Sequence, residues 1–177
     1  MDYHFKKLYP YFHSAFKFIG LENKIYKASE PMNHIIDNIY LGDFRAADNL
    51  QFLKDNKITA IVNCAYNLPS KFESEIKYLN LNLRDEKFVD IIDSMEKAYS
   101  FIKEDPNRNI LIHCVYGKSR SASAVIFYLM KEKKWDYDTC LNFVKEKRNI
   151  VEPNEGFKKQ LDEYYKNNIA TNEKKDE

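Results

Sequence analysis

Only three cysteines occur in 177 residues: Cys64, Cys114 and Cys140. No C-x-x-C pair exists, and so odd and sparse a set excludes a disulfide framework and a structural zinc site. A reducing compartment is expected, the cytoplasm with the nucleus left open, since a free reactive thiol needs one. Long apolar runs are also missing. None approaches the ~20 residues that span a bilayer, so no transmembrane segment is expected. Charge of one sign is missing as well: 28 Lys and Arg against 27 Asp and Glu leave a net charge of +1. That balance gives no reason to expect nucleic acid or an anionic membrane as a partner. Asp2, Lys6 and Lys7 interrupt any secretory h-region, and Asp2 departs from the N-myristoylation pattern. Lys174-Lys175-Asp176-Glu177 carries no prenylation box.

The length suits one domain, and 44% hydrophobic residues suit a packed core. Residues 1–32 form an aromatic-rich extension. Phe5, Leu8, Phe12, Phe16 and Ile19 recur at helical spacing, and Pro10 and Gly20 bound an expected helix over 10–19. It reads either as a surface-packed helix or, over residues 1–30, as a docking element for a partner or a membrane interface.

From residue 33 onward, strand and helix patterns alternate. Strands are expected at His34–Ile36, Ile39–Leu41, Ile58–Ala65, Tyr78–Leu83 and Asn109–His113. Helices are expected at Phe44–Asn56, Asp90–Lys103, Ser121–Lys134 and Tyr137–Arg148, with Asp136 as an N-cap. A last helix is expected with Pro153 in its first turn, ending near Asn167, followed by a polar disordered tail over 168–177. This alternation predicts an α/β layer fold with a mostly parallel sheet, in which ligands sit at the carboxyl ends of strands.

The run His113-Cys114-Val115-Tyr116-Gly117-Lys118-Ser119-Arg120-Ser121 lies at such an end. A strand that passes through a tight loop into a helix gathers backbone N–H groups around one point, and such a nest binds a dianion. The same field stabilises a thiolate, which makes Cys114 a candidate nucleophile. Arg120 offers a planar fork for two phosphate oxygens. The amides of Val115, Tyr116, Gly117, Lys118, Ser119 and Arg120 are the expected phosphate cradle, with the Tyr116 and Lys118 side chains turned outward. Gly117 permits a turn that most side chains forbid. Ser121 reads as a hydrogen-bond donor to the cysteine sulfur or as a helix N-cap. His113 reads as a brace for the loop rather than as a base.

Expelling an alkoxide or phenoxide from phosphate calls for an acid, and the same carboxylate can then activate water. Asp85 is the candidate, in the loop Arg84-Asp85-Glu86 just past a strand; Glu86, Asp90 and Asp93 follow it. Cys64 ends a buried strand and reads as packed core, with a protective disulfide to Cys114 as its redox alternative. Cys140 reads as core.

The His-Cys-x5-Arg-Ser arrangement at 113–121 is similar to the signature of cysteine-dependent phosphatases. The continuation Ala122-Ser123 with Tyr128-Leu129-Met130, and the run Pro153-Asn154-Glu155-Gly156-Phe157-Lys158-Lys159-Gln160-Leu161, resemble the dual-specificity branch. Ile39-Tyr40-Leu41-Gly42 and Ala46-Ala47 match that family's opening strand and helix. The resemblance covers about residues 33–165 in order, and places a catalytic domain over 33–167. It implies a five-stranded sheet flanked by helices, a shallow cleft, no metal or other cofactor, and Asp85 as the acid. It also implies phosphoprotein substrates carrying phosphotyrosine or phosphoserine/phosphothreonine, in the manner of a small, atypical member. Tyr116 stands where many members have alanine, which leaves substrate preference open at the rim. The competing expectations are a phosphoinositide or RNA 5′-phosphatase, and a phosphoprotein-binding scaffold without turnover.

Overall fold

In a computed structural model, residues 29–173 are described. The aromatic-rich stripe with its helix over 10–19 lies outside them. The compact unit begins at Pro31. Its strands are β1 (Met32–Ile36), β2 (Ile39–Gly42), β3 (Ile58–Ala65), β4 (Lys77–Leu83) and β5 (Asn109–His113). They form one sheet in the order β1-β2-β5-β3-β4. The β1–β2 pair is antiparallel, and Asp37 takes the left-handed φ of 48° in the turn between them. All other pairings are parallel. Ile110, Leu111 and Ile112 of central β5 are fully buried, the pattern of a parallel strand covered on both faces.

The helices are α1 (Phe44–Ala47), α2 (Leu50–Asp55), α3 (Ile92–Lys103), α4 (Arg120–Lys133), α5 (Tyr137–Lys147), α6 (Glu155–Tyr164) and, after a π-helical turn at Tyr165–Ile169, α7 (Ala170–Glu173). Every residue of α4 from Arg120 to Met130 is buried, so α4 is the central helix. It ends where Lys134 takes a φ of 58°. One core joins α4 to Ile35, Val62, Ile112, Met95, Val144, Phe157 and Leu161. A second lies on the other sheet face, where Leu53 and Ile76 cover Ile61 and Leu111. Each large apolar side chain so buried contributes about 1.5–3 kcal/mol.

Four expectations change. The single helix over 44–56 is two, because Asp48 closes α1 and the Asn49 side chain then accepts from the Phe52 amide to start α2. The helix expected from Asp90 starts at Ile92, with Asp90 in the turn before it accepting from the Ile92 amide at 3.2 Å. Pro153 lies outside the first turn of the last helix: Asn154 is the N-cap, its Oδ1 accepting from the Gly156 and Phe157 amides. The described part of the 168–177 tail is helical, because Ile169 is buried against the main core. Among the described residues no helix is long and apolar enough to cross a membrane.

Candidate active site

Parallel registers align Gly42, His113 and Asn63 at one level of the sheet. The chain leaves β5 just beyond that level, and residues 114–119 form the loop into α4. Its carbonyls are all claimed from outside. Val115 O accepts from the Phe44 amide at 3.4 Å, Lys118 O from the Glu152 amide at 2.9 Å, and Ser119 O from the Ser123 amide at 2.8 Å. Tyr116 O and Gly117 O accept from Arg148 Nη2 and Nε at 3.1 and 2.9 Å. Carbonyls turned outward leave the loop amides facing inward, and the Gly117 amide donates to Cys114 Sγ at 3.3 Å. Gly117 adopts a φ of 65°, and any Cβ there would sit 2.5 Å from Gly42 O. Only glycine fits this position.

Cys114 is buried, and the Ser121 hydroxyl donates to its sulfur at 3.2 Å. Burial alone would push the thiol up. The Arg120 guanidinium, the Ser121 hydroxyl and the amides of Ser121 and Lys118 outweigh it and hold Cys114 below the ordinary thiol value. Ser121 lies inside α4, and the N-cap position belongs to Ser119. The N-cap alternative for Ser121 is therefore overturned. His113 is buried, with Nδ1 at 3.4 Å from the Cys114 carbonyl, and desolvation brings its pKa down to about 4. It is neutral at physiological pH, with Nδ1–H toward the carbonyl.

Arg120 is also buried. Its Nη1 donates to Leu83 O at 3.1 Å, and its Nε lies 3.5 Å from Asp85 Oδ2 with no hydrogen-bond partner. Asp85 sits two residues past β4. Its Oδ1 accepts from Ser119 Oγ at 2.6 Å and from Asn154 Nδ2 at 2.8 Å. The four acid candidates thus separate. Asp85 reaches Arg120; Glu86 ion-pairs with Arg84 at 3.8 Å; Asp90 and Asp93 mark the start of α3. Lys118 turns its side chain outward, where Nζ pairs with Glu152 at 2.7 Å, and Tyr116 is half-buried. Cys64 is a free buried thiol, pushed well up by desolvation and by the nearby Cys114. Cys140 is buried and raised to about 12 by desolvation.

Three contributors were missed from sequence. Arg148, buried, holds two loop carbonyls, donates to Asn33 Oδ1 at 2.7 Å and lies 3.5 Å from Asp43. Asp43, fully buried and forked by Arg45 at 2.7 Å, completes that brace. Asn154 both caps α6 and holds Asp85. Its position within the Pro153–Leu161 run was the only available signal. The same run ties down the acid loop: Gln160 donates to Val89 O at 2.8 Å and accepts from the Ile91 amide at 2.9 Å.

Residues 39–167 match the family model of the dual specificity phosphatase catalytic domain. The chain belongs to the dual specificity phosphatase family. Among curated relatives of this family, the chain is 37% identical to the Protein phosphatase Slingshot homolog of Xenopus laevis over 134 residues, 75% of this chain and 19% of the relative. It is 39% identical over 136 residues to a probable rhodanese domain-containing dual specificity protein phosphatase of Dictyostelium discoideum, covering 76% of this chain and 29% of the relative. The chain thus spans less than a third of the length of these relatives. Among solved dual specificity phosphatase structures, DUSP15 superposes with a TM-score of 0.74 at 29% identity, over 81% of this chain and 93% of that one. The five-stranded, mostly parallel α/β fold is the one these phosphatases share.

Proposed function

We propose that this protein hydrolyses phosphoprotein substrates carrying phosphotyrosine or phosphoserine/phosphothreonine, through a phosphocysteine on Cys114. The observation that carries this reading is the pairing of a thiol held low in pKa with a buried guanidinium whose Nε lacks a hydrogen-bond partner. A phosphoryl group seated on the inward amides of Val115–Arg120 would give Arg120 oxygens to bind as charge builds in the transition state. The Cys114 thiolate attacks phosphorus while the bond to the leaving oxygen breaks. Asp85 delivers the proton to that oxygen. Its Oδ1 already accepts two hydrogen bonds, so Oδ2 is the oxygen left to carry the proton. In the second step, ionised Asp85 takes a proton from water, the water oxygen attacks phosphorus, and the S–P bond breaks. The Ser121 hydroxyl then receives the departing thiolate. His113 and Arg148 hold the loop and take no part in proton transfer.

Hydrolysis of a generic aryl phosphate is expected to vanish in Cys114→Ser and to fall by about 10²–10⁴-fold in Asp85→Asn, the usual worth of a positioned acid. Normal turnover in Cys114→Ser would sink the reading. Phosphopeptide binding by wild-type protein without turnover would instead support a scaffold.

A further inference from the structure

Lys118 stands at the rim of the phosphate loop with its amide toward Cys114 and its ammonium outward. Two bonds fix Glu152 to it. The Glu152 amide donates to Lys118 O at 2.9 Å, and the Glu152 carboxylate accepts from Lys118 Nζ at 2.7 Å. The Lys118 hydrogen bond and charge hold the Glu152 carboxyl below its usual range, and Lys145 adds to that pull. Glu152 begins the segment that delivers Asn154 to Asp85, so its place beside the loop is set by the chain itself. Arg84, next to Asp85 in the acid loop, lies over the Tyr66 ring at 4.2 Å and 3.8 Å from Glu86.

We infer that Glu152 is a specificity-determining residue, whose carboxylate cancels the Lys118 charge at the mouth and thereby favours singly phosphorylated substrates over polyanionic ones. This rests on the phosphatase reading above. A substrate with a second phosphate gains from a free cation near the cleft and loses that gain when a carboxylate already occupies it. Both side chains are largely exposed, so the effect is modest and screened by salt.

The test uses one phosphopeptide sequence with one or two phosphates, and the wild-type, Glu152→Gln and Glu152→Gln/Lys118→Met chains. Glutamine keeps the size and the backbone bond and removes only the charge. Glu152→Gln is expected to lower KM for the doubly phosphorylated peptide about two- to fivefold, the worth of an exposed charge pair. The singly phosphorylated peptide should change little. Adding Lys118→Met should remove most of the gain, and so should roughly 0.5 M salt. An unchanged KM ratio, or an equal fall for both peptides, overturns the inference and leaves the phosphatase reading standing. No turnover of either peptide by wild-type protein overturns both.

Discussion

At Cys114 the competing effects are separable by size and sign. Desolvation is the largest single influence and disfavours the thiolate; Arg120 and Ser121 together reverse it. The direction of pH dependence follows. A thiol held below its ordinary value is thiolate, and reactive, at lower pH than a free cysteine. Ser121→Ala removes a donor that stabilises only the ionised sulfur, so the thiolate must appear at higher pH. The measurement is the rate of Cys114 alkylation against pH. The rise in rate should move upward in Ser121→Ala, while the fold, followed by circular dichroism, stays intact. An unmoved profile would assign the 3.2 Å contact to packing alone. Cys114, Arg120 and Ser121 were legible in the sequence because their roles follow from chain-local spacing around one turn. Arg148 and Asp43 were not. Arg148 reaches the loop from the end of α5, 31 residues from Gly117, and Asp43 acts through Arg148 from the start of α1; no periodicity encodes such distances.

Among the elements, α6 decides where the acid stands. Gly156 lies so close to the Lys87 carbonyl that any Cβ would overlap it. Gln160 then pins Val89 and Ile91 from the next turn. The Gly-Phe-x-x-Gln spacing therefore places a bare backbone and an amide side chain on one helix face against the acid loop. Gly156→Ala must push that loop away. Loss of stability of about 1–3 kcal/mol is expected from the overpacking. A larger fall in kcat than rise in KM is also expected, about 10- to 100-fold in kcat, because a displaced acid affects the chemical step. Steady-state kinetics on an aryl phosphate and urea unfolding check the two parts. An unchanged kcat would show that α6 does not position Asp85. Strand boundaries were read almost residue for residue, as β3 and β5 show, because buried β-branched runs between turns leave little choice. The break between α1 and α2 escaped notice because Asp48-Asn49 looks like ordinary helix surface until both are seen to act as caps.

At the scale of the domain, the C-terminal helices close the main core beside α4. Phe157, Leu161, Tyr165 and Ile169 follow a strict four-residue repeat. On an α-helix of 3.6 residues per turn such a stripe drifts by about 40° per step. The wider π turn at Tyr165–Ile169 removes part of that drift and keeps Ile169 on the core side. Around it, Tyr164 donates to Glu96 at 2.5 Å, and Lys131 binds the same carboxylate at 2.6 Å. Tyr99 and Lys103 converge on Glu132 in the same way. The polar character of Asn167-Asn168 hid this closure, since a helical reading stops where the α period fails. Ile169→Ala deletes one buried side chain at the end of the stripe, far along the chain from Cys114 and Asp85. A loss of about 2 kcal/mol is expected, the low end for a buried isoleucine because it lies near the helix end. Urea unfolding should show a lower midpoint with an unchanged slope, and KM for an aryl phosphate should not move. Stability equal to wild type would mean that residues 168–173 lie against the domain without contributing to its fold.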